Sequence, residues 1–205
     1  MFLEYCEIAT PTEFSFVYKP EADSFLLLSV LQEDVPSMEG VRWCLAADIS
    51  VDACLMTQRY SAFHGVNNID TVLSDAGSGI SGFFDLVIIN PPYVPTEVDE
   101  HAGFHARLPE KLRAWAEKKG DYGLGDGGNL VDLSYSGGVR GMEVTRRMLR
   151  HGLSCLSPEG SLYLFAIDEN DEQEILALAE GHGRRVQTRA SKKRPGERQK
   201  VLRLS

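Results

Sequence analysis

Phe83-Phe84-Asp85-Leu86-Val87-Ile88-Ile89-Asn90-Pro91-Pro92-Tyr93-Val94 is the stretch on which the reading of this chain turns. Its apolar run, Phe83 to Ile89, predicts a strand buried on both faces, as parallel sheets require. The run stops at an asparagine and two prolines. Proline fixes its own φ and pushes the residue before it out of the helical region. Asn90 is therefore expected in a rigid loop at the carboxyl end of a strand, where α/β sheets bind their ligands.

The residue types in that loop suit one kind of chemistry. An amide nitrogen is a poor nucleophile because its lone pair is delocalised into the carbonyl. A site helps by accepting both N–H hydrogens, and the Asn90 side-chain oxygen and the Pro91 backbone carbonyl are placed to do so. That orients the lone pair towards an electrophilic methyl group and stabilises the charge developing on nitrogen. Tyr93 offers a flat face for a planar amide or base. Two plainer readings are a Pro-Pro turn and an exposed N-P-x-Y docking peptide. Attachment to the apolar strand argues against the second.

Working outward, Glu21 to Gln32 reads as a helix, and Val41 to Ile49 as a buried strand carrying Asp48 near its end. Ser50 is a candidate N-cap for a helix over about 51–63, with Asp52 in its first turn. A short strand, Ile69 to Ser74, ends at Asp75. Residues 97–132 are irregular and rich in Gly, Asp and Lys, which predicts an insertion or lid. Within it, Leu108 to Lys119 reads as an exposed helix with Trp115, and Asp121 to Asn129 as mobile. Beyond it come a helix (Val139 to Leu153), a Ser157–Gly160 turn and a buried strand (Ser161 to Ile167). Asn170 is the candidate cap of a further helix, with Gln173 at the capping-box position. Strands near 185–190 and 200–204 flank Arg194-Pro195-Gly196 as a closing hairpin. Strands alternating with helices predict one α/β domain over 1–205, its sheet mostly parallel with an antiparallel end.

The chain has 205 residues, 43% hydrophobic and 25% charged, enough for one domain with a core. No apolar run approaches the roughly 20 residues of a membrane helix. The N-terminal stretch lacks a secretory pattern. Cys6, Cys44, Cys54 and Cys155 are scattered, without a C-x-x-C pair, so neither zinc ligands nor disulfides are expected and a reducing setting is. No metal site is assigned. The net charge of −9 argues against nucleic acid as the main partner. The segment from Arg184 to Arg203 is nonetheless basic. It reads as a solvated hairpin tip, with a contact for RNA or an acidic partner as the alternative. Asp48 and Asp75 each fall at a strand end. Asp48 suits ribose hydroxyls or a helix cap, and Asp75 also suits an ordinary turn.

Three stretches carry a family resemblance: Val17 to Leu28 (VYKPEADSFLLL), Asp85 to Val94 (DLVIINPPYV), and the C-terminal set. That set comprises Ser136-Gly137-Gly138, Gly141 to Val144, Leu156 to Gly160 and Ile167 to Asn170. Together they resemble the eukaryotic and archaeal glutamine methyltransferases of class 1 translation release factors, relatives of the HemK protein methyltransferases. The resemblance implies a Rossmann-like class I fold that uses S-adenosylmethionine. Asp48 would hold the ribose, Asp75 with Ala76 the adenine, and Ser24 would line the cofactor pocket. Asn90 would meet both the cofactor and the target amide, with Pro91, Pro92 and Tyr93 completing the substrate loop. The implied substrate is the glutamine of a release factor's Gly-Gly-Gln loop. The implied partner is a small zinc-binding activator subunit forming a heterodimer, and the implied setting is the cytoplasm, with the nucleus second.

One departure is large. Between the first helix and Asp48 the family has a strand, an E-x-G-x-G-x-G type loop and a helix. Here Glu33 to Gly40 runs directly into Val41-Arg42-Trp43, and the next glycine after Gly40 is Gly65. A central strand and the main cofactor loop are absent. Two other functions stay open: an adenine N6-methyltransferase, and a non-catalytic binding subunit that has lost the cofactor site.

Overall fold

The computed structural model describes residues 17–35, 41–96 and 134–205. The insertion expected at 97–132, with its helix and its mobile Asp121–Asn129 stretch, lies outside them. In chain order the elements are α1 (Ala22–Asp34), β1 (Cys44–Asp48), α2 (Val51–Phe63), β2 (Ile69–Leu73) and β3 (Phe84–Ile89). A 3-10 turn (Val139–Gly141) then leads to α3 (Glu143–Ser154), β4 (Leu156–Ile167), α4 (Glu172–Gly181), β5 (Val186–Arg194) and β6 (Glu197–Leu204).

The strands form two sheets. β1 and β2 pair in parallel on their own. The other four lie in the order β3-β4-β6-β5. β3 and β4 are parallel, whereas β6 runs antiparallel to both β4 and β5. This is the expected α/β arrangement, a parallel part closed by an antiparallel hairpin, but divided. The missing strand of the sequence corresponds to this division.

Strand β4 organises the larger sheet. Its alternate residues feed opposite faces, as the two-residue period of a strand dictates. Leu162, Leu164 and Ala166 pack with Ile89, Leu149, Leu153, Ile175 and Leu202. Tyr163, Phe165 and Ile167 pack with Leu27, Val30 and Val201 on the other side. Helices α3 and α4 thus cover one face and α1 the other. The predicted Ser157–Gly160 turn is absorbed into β4. There the register against β3 shifts between Phe84↔Leu156 and Leu86↔Ser161, so extra residues bulge from β4.

Of the strands predicted to be buried, that at Ser161 to Ile167 is so from Leu162 onward, whereas those before Asp48 and Asn90 are only partly buried. In β3, Ile88 is 48% exposed, and Phe83 just before it is 79% exposed. Trp43, before β1, is 48% exposed, and no residue of β1 is fully buried. The reason is topological. Among the described residues β3 is an edge strand and β1 pairs only with β2, so neither has there the flanking strand that full burial needs. The smaller sheet is held by α2. Ser50 caps that helix as expected, accepting from the Ala53 N–H at 3.3 Å. Gln58 Nε2 donates to Thr71 Oγ1 at 2.8 Å.

One further reading is revised. Asp171, not Asn170, caps α4 by accepting from the Glu174 N–H at 3.1 Å. In the basic C-terminal segment Lys192 and Lys193 are exposed near the hairpin tip, as expected, while other basic residues are engaged within the molecule. Arg184 donates to the carbonyls of Ser157 and Pro158, and Lys200 lies between Asp168 and Glu172. Arg189 clamps Asp34 at the end of α1 with both its Nε and Nη2.

That clamp docks α1 on the sheet. The Asp34 carboxylate, with a side chain only 5% exposed, also accepts from Tyr163 Oη at 3.0 Å. The Arg189 bonds hold its pKa below the usual carboxylate value. A depressed carboxylate stabilises the fold above its unfolded pKa, about 3.9, and loses that contribution as pH falls through its folded value. Asp34→Asn is therefore expected to lower Tm by several degrees at neutral pH. The gap from wild type should stay constant down to about pH 5 and close below about pH 4, as read by thermal melts across pH. Leu164→Ala, at a fully buried position, should cost about 3 kcal/mol by denaturant titration.

Candidate active site

The carboxyl ends of β1, β2 and β3 open on one cavity of about 780 Å³, within the range of small-molecule sites. Asp48 ends β1 and Ile49 follows it, Ser74 to Gly77 follow β2, and Asn90 and Pro92 follow β3. Leu45 and Ala47 of β1 and Leu86 and Ile88 of β3 form its apolar wall. At the far end the Trp43 and Phe84 rings stack with centroids 6.4 Å apart. The cavity thus lies where the two sheets part.

Asp48 is fixed by its own chain turn. Its Oδ1 accepts from the Ser50 N–H at 2.8 Å, and its carbonyl accepts from the Ser74 N–H at 2.8 Å, which ties the ends of β1 and β2 together. The protein packed around the carboxyl raises its pKa, opposed by the backbone bonds from Ser50 and Ile49. Asp75 forms an ion pair with Arg147 of α3. Ala76 has φ +51°, a left-handed turn conformation that is uncommon for a residue with a Cβ.

The Asn-Pro-Pro-Tyr loop is held from outside the cavity. Asn170, 4% exposed, donates through Nδ2 to the Tyr93 carbonyl at 2.9 Å and the Arg140 carbonyl at 3.0 Å, and accepts from the Ile167 N–H at 2.9 Å. It therefore braces the loop against the end of β4 instead of capping a helix. The Val94 N–H donates to the Tyr135 carbonyl and the Gly137 N–H to the Val94 carbonyl. Gly141, at φ +66°, is required here: a Cβ would lie 1.9 Å from the Tyr93 carbonyl oxygen. A Cβ on Gly137 would meet the Pro92 oxygen at 2.5 Å. The glycine-rich stretch at 137–141 thus serves close backbone packing against the Asn-Pro-Pro-Tyr loop.

The predicted residues fall into two groups. Asp48, Asp75, Ala76, Asn90 and Pro92 line the cavity. Pro91, Tyr93 and Ser24 are not among its lining residues. Pro91 is buried beneath the loop. The Tyr93 ring packs against Phe165, centroids 4.7 Å apart, so its expected stacking face is turned to the sheet. Burial and the nearby Asp23 raise the Tyr93 pKa. Ser24 is replaced in the cavity by its neighbour, because the start of α1 directs Asp23 inward. Both the Ser24 N–H and Oγ donate to Asp23 Oδ1, at 2.7 and 3.2 Å.

Asp23 is the residue that sequence reasoning missed. It is 2% exposed and accepts from Asn90 Nδ2 at 3.0 Å. An acid in the first turn of a helix is ordinary in sequence. Only its burial would have marked it, and burial follows from tertiary contact.

The cavity brings together Asp48 at the end of β1 and the turn at Asp75–Ala76, and a carboxylate accepts hydrogen bonds from hydroxyl groups. The amino-acid part of S-adenosylmethionine has no glycine loop to rest on, since none exists between Gly40 and Gly65. Among the described residues, no His, Cys, Asp and Glu group is placed to hold a metal, and no helix is long and apolar enough to cross a membrane.

No family model matches the chain. It is 27% identical to the human protein named methyltransferase HEMK2, with 94% of this chain and 91% of the relative aligned. It is 26% identical to the Schizosaccharomyces pombe eRF1 methyltransferase catalytic subunit mtq2, over 94% and 90%. The human alignment runs over 220 positions, more than the 205 residues of this chain, so the relative carries residues without a counterpart here. Among solved structures, the E. cuniculi Mtq2-Trm112 complex superposes with a TM-score of 0.55 at 21% identity, covering 93% of this chain and 98% of that one. The T. thermophilus 16S rRNA N2 G1207 methyltransferase, solved with AdoMet and guanosine, gives 0.55 at 16% identity over 91% and 43%. In its sequence the chain is similar to the HemK-related methyltransferases, and in its fold to solved class I methyltransferases.

Proposed function

We propose that the protein transfers a methyl group from S-adenosylmethionine to N5 of the glutamine in the Gly-Gly-Gln loop of a class 1 translation release factor. The observation that carries this reading is the placement of the Asn90 amide at the cavity mouth, with its Nδ2 bonded to Asp23. The S. pombe relative is described as an eRF1 methyltransferase subunit and the E. cuniculi complex as methylating eRF1, which supports the substrate class. S-adenosylmethionine supplies an electrophilic methyl group when bound.

The residues of this chain then divide the work. Asp48 holds the ribose hydroxyls, and the Asp75–Ala76 turn lies beside the adenine. Asn90 Oδ1 and the Pro91 carbonyl accept the two N–H hydrogens of the glutamine amide. This turns the nitrogen lone pair towards the cavity and stabilises the charge that develops on it. A strong general base is unnecessary, because the nitrogen proton becomes acidic as the N–C bond forms. The partner is a small zinc-binding subunit, covering exposed apolar surface such as Phe83. The place of action is the cytoplasm, with the nucleus second.

Labelled methyl transfer from S-adenosylmethionine to a Gly-Gly-Gln protein, with the activator present, tests the reading. Transfer to DNA adenine in its place would assign the other chemistry, and no cofactor binding by calorimetry would mark a binding subunit. Asn90→Ala is expected to lower kcat about 10²- to 10³-fold with cofactor affinity nearly unchanged. Asp48 binds ribose hydroxyls as a carboxylate, and its pKa is raised. Cofactor affinity should therefore weaken as pH falls through a value above the usual 3.9 or so. Asp48→Asn should bind about tenfold more weakly at neutral pH and show no such decline.

A further inference from the structure

We propose that Asp23 is a positioning residue that fixes which face of the Asn90 amide meets the substrate; this deepens the reading above and rests on it. The two ends of an asparagine amide are nearly alike in shape, so the side chain can present either N–H donors or a carbonyl acceptor to the cavity. Only the acceptor receives a glutamine N–H. An ionised carboxylate accepts hydrogen bonds and donates none. With Asp23 Oδ2 3.0 Å from the Asn90 amide, the atom facing it is Nδ2. Oδ1 is left for an incoming N–H.

Asp23 is itself held. Its Oδ1 takes the Ser24 N–H at 2.7 Å, Ser24 Oγ at 3.2 Å and Tyr18 Oη at 3.5 Å. The residue is 2% exposed and follows Glu21, the N-cap of α1. Helix α1 is fastened to the sheet through Leu27, Val30 and the Asp34 clamp. The carboxylate therefore reaches Asn90 from a rigid element 67 residues away in sequence. A hydrogen bond to a charged acceptor is about twice as strong as a neutral one, which suits it to hold one amide orientation over the other.

The test has two arms. In the first, the Asn90 side-chain amide of the full chain is followed by ¹⁵N NMR without substrate. Slowed hydrogen exchange at Nδ2 in the wild type, lost in Asp23→Ala, is expected; fast exchange in the wild type overturns the assignment. This arm holds whether or not the protein transfers methyl groups, so failure of the proposed function is seen separately, as wild type without transfer. In the second arm, with activator and a Gly-Gly-Gln protein, Asp23→Asn should lower kcat about 100-fold while cofactor Kd stays near wild type. Asn90→Asp alone sets two carboxylates side by side. Combining it with Asp23→Asn restores a donor facing an acceptor, and should recover about tenfold in kcat over Asn90→Asp. Retention of kcat within about threefold in Asp23→Asn, a loss explained by weaker cofactor binding, or no recovery in the double variant would each overturn it.

Discussion

The structure leans on β4. It has a partner strand on each side, and its residues from Leu162 to Ile167 are all buried. Because its side chains alternate between faces, one strand supplies both layers of the core. Helices α3 and α4 settle on one face and α1 on the other. The site inherits its rigidity from this arrangement. Asn170, shortly after β4, braces the Asn-Pro-Pro-Tyr loop from behind. Helix α1, packed on Tyr163 and Phe165, delivers Asp23 to it from the front.

The second constraint is a lack. β1 and β3 run with their carboxyl ends at one cavity, yet each ends its own sheet. A parallel strand buried on both faces needs neighbours along both edges. Without them, apolar side chains such as Ile88 and Trp43 stay in contact with water. The smaller sheet is tied to the rest by side chains instead of a ladder: the Asp75–Arg147 ion pair, the Trp43–Phe84 stack and the Cys155 contact to the Ile80 carbonyl. Such ties are weaker and less directional than strand pairing. The class I methyltransferase fold of the solved neighbours is recognisable here, divided between two sheets and without a glycine loop before β1.

The electrostatics follow the same division. The basic C-terminal hairpin directs much of its charge inside the molecule, onto Asp34, Asp168, Glu172 and the carbonyls of the β4 bulge. This is structural use of charge, while Lys192 and Lys193 stay exposed near the hairpin tip. The Asn-Pro-Pro-Tyr loop instead has acids near it. Asp23, Glu21 and Glu197 all act to raise the pKa of Tyr93, an environment better suited to a neutral amide or a cationic segment than to a polyanion.

By itself the sequence determined the class of fold and the position of the Asn-Pro-Pro-Tyr loop at a strand end. Strand periodicity, the Ser50 cap and the Pro-Pro restriction at Asn90 are local, and local interactions are written in adjacent residues. The absence of a central strand was legible for the same reason. Where the family pattern has a strand, a glycine loop and a helix, only the short stretch from Glu33 to Gly40 stands before Val41. Tertiary structure alone decided the rest. Asn170 reads as a helix cap until the Tyr93 and Arg140 carbonyls come within its reach. Tyr93 reads as a stacking platform until Phe165 covers its ring. Asp23 reads as an ordinary helix-start acid until it is buried against Asn90. In each case the partner is distant in sequence, and a polar side chain's role is set by whichever partner shares its burial.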